Sequence, residues 1–147
     1  MRSAAQLYAV QALFQMEAAD AGLEEVRDEF EAHRLGAEID GIPYGAADTA
    51  HFRAVLEAAV GDQARIDQLT DRALVKRWPI DRIDPTVRAL FRAAGAELVA
   101  TDTPPRVTIN EYVDVAKAFF PGGNEVKFVN AVLDHMAREV RPAEFAR

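Results

Sequence analysis

The stretch from Val107 to Asp134, VTINEYVDVAKAFFPGGNEVKFVNAVLD, leaves this chain little freedom of fold. Thr108-Ile109-Asn110-Glu111 has the spacing of a reciprocal helix cap. In such a cap the Thr108 hydroxyl bonds the Glu111 amide, and the Glu111 carboxylate returns to the cap amide. Tyr112, Val113, Ala116 and Phe119 then recur at helical spacing. Pro121-Gly122-Gly123 breaks the run. Asn124 is placed to cap the next helix with its side-chain oxygen. Phe128, Val129, Val132, Leu133 and Met136 give that helix a single apolar face. Two amphipathic helices joined by so short a link are expected to pack as an antiparallel hairpin.

The same period runs back through the chain. A first helix is expected from Ser3 to about Ala19, with Leu7, Val10, Leu13 and Phe14 as its stripe and alanines between them. Gly22 ends it, and Leu23 to His33 carries a second helix. The outer face of that helix is acidic (Glu24, Glu25, Asp28, Glu29, Glu31) and reads as solvated. Residues 34–47, with three glycines and a proline, make the longest non-helical connection. Asp48 is expected to cap a third helix running to about Val60, lined by Phe52, Val55, Leu56 and Val60. Gly61-Asp62 interrupts, and Ile66, Leu69, Ala73 and Leu74 carry a fourth helix to about Arg77, where Trp78-Pro79 stops it. Asp84-Pro85 is a strong helix start, with the aspartate as cap and the proline in the first helical position. Val87, Leu90, Phe91, Ala94 and Leu98 follow on more than one side, which marks this fifth helix as the central one. Thr103-Pro104-Pro105 is a rigid turn before the hairpin, and the tail after Arg141 is expected to fray. No stretch keeps the alternation of a strand over more than about four residues. The expectation is one all-α domain of seven helices over residues 1–147.

Composition bounds the function. The 147 residues are half apolar and 28% charged, an ordinary balance for a globular domain with a real core. There is no cysteine, so disulfides and thiolate metal sites are excluded. No apolar run approaches the roughly 20 residues of a membrane helix, and the N-terminus lacks the pattern of a secretory signal. The expected location is the cytoplasm. The net charge of −7 is lopsided: residues 1–60 hold 4 Lys/Arg and 11 Asp/Glu, and the remainder is balanced. A broad nucleic-acid-coating surface would be basic, so only a small local patch is compatible with this chain.

Catalytic signatures are missing. His33, His51 and His135 sit without metal-ligand spacing and read as surface or boundary residues. Pro121-Gly122-Gly123 does not match the phosphate-binding loop pattern, and no strand precedes it. No carboxylate pair is marked out for acid–base work. The chain is therefore read as a binding protein without cofactor or metal. The start of the last helix is the remaining candidate site. Its open amides favour an anion, and Lys127 followed by Phe128 offers a cation and a flat ring to single-stranded RNA. The plainer reading keeps Phe128 in the core and Lys127 in solvent, and physical arguments alone favour it.

These segments, in order, resemble the NusB family of bacterial transcription antitermination factors. VTINEYVDVAKAFF and KFVNAVLD resemble its C-terminal signature. YAVQALFQME is similar to its A-V-Q-A-L-Y segment, and IDPTVRALFRAAGAEL to its central D-P-x-x-R-A-x-L-R-x-x-x-x-E-L helix. The resemblance covers most of the chain and implies two packed three-helix bundles. It also implies a partner, NusE, a small-subunit ribosomal protein. With NusE such proteins bind boxA RNA and join the RNA polymerase antitermination complex on ribosomal RNA operons, with no catalytic step.

By motif match, the resemblance places RNA contacts at Arg2 and Ser3 and at Asn124, Lys127 and Phe128. It places partner contacts at Phe14, Thr86 and Val87. A homodimer would use some of the same first-helix surface. Two departures stand out. The family has several arginines at the start of its first helix, whereas this chain keeps Arg2 and has Gln6 where arginine is common, implying fewer phosphate contacts. A longer native N-terminus, or reliance on the partner for RNA, would account for the gap. Val87 stands where many members carry glutamate. The competing readings are a helical protein-interaction scaffold that has lost RNA binding, and an accessory domain of a ribosomal RNA cytosine methyltransferase.

Overall fold

The computed structural model describes the backbone of residues 2–32, 38–39, 42–43, 46–74, 83–121 and 125–145. Side chains are described for residues 4–32, 49–74, 83–121 and 125–145. Among the described residues there are seven α-helices: α1 Arg2–Ala19, α2 Leu23–Phe30, α3 Ala46–Gly61, α4 Gln63–Ala73, α5 Pro85–Ala100, α6 Pro105–Phe119 and α7 Glu125–Val140. None of them is long and apolar enough to cross a membrane.

Helix α5 is the axis of the domain. Asp84 caps it, its carboxylate accepting from the Thr86 amide at 2.7 Å, and Pro85 takes the first turn without losing a hydrogen bond. Val87, Leu90, Phe91, Ala94 and Leu98 are all buried, as are Ala89, Ala93 and Ala96 on the other sides. A helix with apolar residues on more than one side is stable only when neighbours cover each of those sides. Here α1, α3, α4, α6 and α7 all pack on it. Helices α1, α2 and α3 form one mutually packed bundle, and α5, α6 and α7 form a second, with α4 laid across α5 and α7. Gly95 is where α4 crosses α5. A Cβ built there would lie 2.6 Å from Ile66 Cγ2 and 3.3 Å from Met136 Cε. The absent side chain is what lets three helices meet at that point.

Cross-helix contacts fix the directions. Gln6 meets Glu97 and Glu17 meets Arg88, so α1 runs antiparallel to α5. Gln6 also meets Glu111, and Phe14 and Ala18 share a groove with Phe119, so α1 runs parallel to α6. Phe128 meets Phe91, and Arg141 just beyond α7 meets Leu98, so α7 runs parallel to α5 and antiparallel to α6. The expected hairpin is present. The guanidinium of Arg141 clamps the end of α5: Nε donates to Leu98 O at 3.2 Å, Nη1 to Thr103 O at 2.8 Å, and Nη2 to Thr101 O.

Several expectations are corrected. Helix α6 starts at Pro105, not at Thr108. Proline in the first turn costs no hydrogen bond, so the Pro104-Pro105 pair that read as a turn begins the helix one turn earlier. Thr108 is consequently buried inside the helix, and Glu111 accepts from Gln6 of α1 instead of closing a capping box. Helix α2 stops at Phe30 and gives way to a wider π-type turn at residues 31 and 32; His33 lies outside the described residues. Helix α3 begins at Ala46, so Asp48 lies within its first turn and is not its cap. Helix α4 ends at Ala73, with Leu74 extended; Arg77 and Trp78-Pro79 lie outside the described residues. One small ladder accompanies the helices. Glu38–Ile39 pairs antiparallel with Ile42–Pro43, with Ile39 opposite Ile42. A ladder of two residues per strand is too short to show alternation in sequence and adds no layer to an all-α fold. The tail after Arg141 does not simply fray, because Pro142–Glu144 makes a 3₁₀ turn that sets Phe145 against α7.

Candidate nucleic-acid and partner interface

Helix α1 supplies most of a shallow groove. Val10, Gln11, Phe14, Gln15, Ala18 and Ala19 line one side, with Thr86 of α5 and Phe119 of α6 opposite, around about 460 Å³. The small alanines keep its floor low. Phe14 is 37% exposed, and only it and Val107 are exposed large hydrophobics among the described residues. Gln15 is held in place by Glu29 of α2, to which its Nε2 donates at 2.9 Å. Of the three candidate partner residues, Phe14 and Thr86 share this groove, whereas Val87 is buried in the core.

Next to the groove an ion network fastens α1 to α5 and α4. Glu17 accepts from Arg88 and Arg92, and Arg92 also pairs with Asp67 at 2.9 Å. The Arg88 hydrogen bond, opposed by partial burial and helped by Arg92, holds the Glu17 carboxyl below its ordinary range. Both arginines are nearly covered, so the network shapes the groove's edge and offers little free charge to a ligand.

The start of α7 lies at the same end of the molecule, because only residues 120–124 separate Phe119 of the groove from Glu125. Lys127 is exposed. Phe128 is half-buried, its ring edge-on to Phe91 with centroids 6.0 Å apart. Phe128 therefore both closes the core and borders the surface, combining parts of the two sequence readings. Asn124 lies outside the described residues. Arg2 and Ser3 form the first turn of α1, with side chains outside the described ones. Their backbone is separated from Phe14 by about 18 Å of helix, from a rise of about 1.5 Å per residue. The candidate RNA residues thus fall at two ends of the bundle.

Gln6, which stands where the resemblance leads one to expect an arginine, has a structural part. It does not face solvent as a phosphate-contacting residue would; it is fully buried. Its Nε2 donates to Glu97 at 3.0 Å and to Glu111 at 3.1 Å. Glu97 is also fully buried and meets His51 Nε2 of α3 at 3.0 Å. Burial pushes the Glu97 carboxyl up, but hydrogen bonds from His51, Tyr112 and Gln6 outweigh it and hold the group below its ordinary value. One cluster therefore joins α1, α3, α5 and α6. Sequence reading placed His51 at a boundary, which its partial exposure matches, but missed its partner. The available signal was Glu97 itself, the single carboxylate in the α5 sequence.

A sequence model of the NusB family matches residues 3–138. The transcription antitermination protein NusB of Nitrobacter hamburgensis is 52% identical over 99% of this chain and 91% of its own length. That of Agrobacterium fabrum is 49% identical over 95% of this chain and 85% of its own. Among solved structures, T. maritima NusB superposes with a TM-score of 0.80 at 29% identity, covering 99% of this chain and 96% of its own. A structure of the antitermination factors NusB and NusE in complex with double-stranded RNA shares the fold, with a TM-score of 0.76 at 22% identity over 94% and 96% of the two chains.

Proposed function

The chain belongs to the NusB family, and from that premise we propose that it is a transcription antitermination factor. In this reading it binds boxA RNA together with NusE in the cytoplasm, within the RNA polymerase antitermination complex, and performs no reaction of its own. The observation that carries the reading is the exposed ring of Phe14 in a groove next to the start of α7. An exposed aromatic in a concave surface is the kind of group that anchors a protein interface. Lys127 and Phe128 at the same end supply a cation and a ring edge, so a partner seated on Phe14 lies beside the RNA contact.

The test is fluorescence anisotropy with boxA RNA and a scrambled control, with and without NusE. Weak binding alone and tighter, salt-sensitive binding with NusE are expected. Equal affinity of the mixture for the two RNAs would refute the reading. Phe14→Ala should weaken NusE binding by about 30-fold or more, the scale of a hot-spot residue worth about 2 kcal/mol, without loss of fold.

One observation favours a second reading, in which the protein binds its partner but not RNA. The acidic excess of residues 1–60 and a neutral, buried side chain at position 6 give a phosphate backbone little to bind near α1. A NusE complex insensitive to RNA would select it.

A further inference from the structure

At the end of the bundle away from the Phe14 groove, three elements converge on one ring. Arg106 in the first turn of α6 and Arg138 in the last turn of α7 both stack on Phe145. Their guanidinium carbons lie 4.9 and 4.6 Å from its centroid. Stacking fixes the plane of a guanidinium and leaves its in-plane N–H donors available to a ligand. Arg138 gives one donor, Nε, to Asp134 at 2.8 Å. Arg106 is exposed and has no carboxylate partner among the described residues, unlike Arg53, Arg72, Arg88 and Arg92. Beside it Val107 is 44% exposed, a small apolar surface next to oriented cations. The first turn of α1, which carries Arg2, lies at this same end.

Helix geometry connects this cluster to Lys127. Arg138 follows Lys127 by eleven residues, which at about 3.6 per turn brings it back within about 20° of the same face, roughly 16 Å along the axis. Asn130, Ala131 and Asp134 lie on the stripe between them, and Asp134 is paired with Arg138. We propose that Arg106, Arg138 and Phe145 form a second phosphate-contacting site for single-stranded RNA, reached by a strand that runs along the exposed face of α7 from Lys127. The proposal rests on the reading that the chain binds RNA.

The experiment measures affinity of the full chain for a single-stranded, boxA-containing RNA long enough to cover α7, across a salt titration. Each lost phosphate contact lowers the slope of log K against log salt by about 0.7 for a single strand. The double variant Arg106→Gln, Arg138→Gln should therefore lose about 1.4 of slope. Phe145→Leu, which frees the arginines but keeps their charge, should weaken binding several-fold at unchanged slope. Lys127→Gln reports on the RNA reading separately and should lose about 0.7. If Lys127→Gln moves the slope and the double variant does not, the second site is wrong and the RNA reading survives. If no variant moves it and boxA is not preferred, both are wrong. If Phe145→Leu binds like the parent, the ring does not orient the arginines and the site as described is wrong. Thermal melts of each variant establish that the fold is intact.

Discussion

Substituting Gly95 by alanine sets two known effects against each other. In the middle of a helix, alanine is favoured over glycine by about 1 kcal/mol, because glycine gives up more backbone entropy on folding. Were Gly95 in open space, G95A would stabilise the protein by that amount. The new methyl would instead sit 2.6 Å from Ile66 Cγ2 and 3.3 Å from Met136 Cε. Methionine can swing its end aside, because it is unbranched and has three rotatable bonds. The Ile66 methyl hangs from a β-carbon inside α4, where a branched side chain is held in one rotamer, and Ile66 is fully buried. Relief therefore requires α4 and α5 to part, and overpacking of this sort costs about 1–3 kcal/mol. The clash wins, and G95A should lose about 1–2 kcal/mol net once the gain in helix propensity is subtracted. Urea unfolding followed by circular dichroism measures it, with the midpoint falling at constant m-value. Ile66→Ala supplies the control: it is costly alone, at about 2–5 kcal/mol, but removes the obstructing methyl. In that background G95A should become neutral or favourable. A G95A protein as stable as its parent would refute the account of why a glycine stands at this crossing.

Two further predictions concern polar contacts. Because Glu97 is held below its ordinary value of 4.5, its contribution to stability is fully present above that value and is lost as pH falls through the lower folded-state value. Glu97→Gln should be less stable than the parent near neutral pH by about 2 kcal/mol, and its unfolding midpoint should fall less steeply on acidification. Arg141→Lys keeps the charge but cannot reach Leu98, Thr101 and Thr103 together with one ammonium, so the melting temperature should fall by an amount equivalent to about 2 kcal/mol. An unchanged melt would mean that the clamp contributes nothing.

Local signals were legible wherever local chemistry decides the structure. Asp84 and Pro85 start α5 as their types require, and the apolar residues spread around α5 announced its central place. The hairpin of α6 and α7 followed from period and punctuation. The misplacements arose where tertiary contacts compete with local rules. Thr108 and Glu111 satisfy a capping pattern, yet Gln6, distant in sequence, draws Glu111 away, and two prolines open the helix earlier. The burial of residue 6 depends on which side of α1 meets α5 and α6, which the sequence of α1 alone does not decide. The candidate groove was half legible. Phe14 and Thr86 share a groove, but whether a helical residue such as Val87 points outward depends on neighbours that periodicity alone does not place. The stack of Arg106, Arg138 and Phe145 had no sequence signature, since it joins the start of one helix, the end of the next and a tail.

The clamp made by Arg141 bears on how the polypeptide acquires its shape during synthesis. The carbonyls it binds belong to a segment made some forty residues before it. Until the ribosome has delivered Arg141, those oxygens must be served by water, and the axis of the domain stays loose at one end. A nascent chain arrested upstream of that residue should accordingly remain open to proteases in its middle, and the interior locks only after Arg141 has been made.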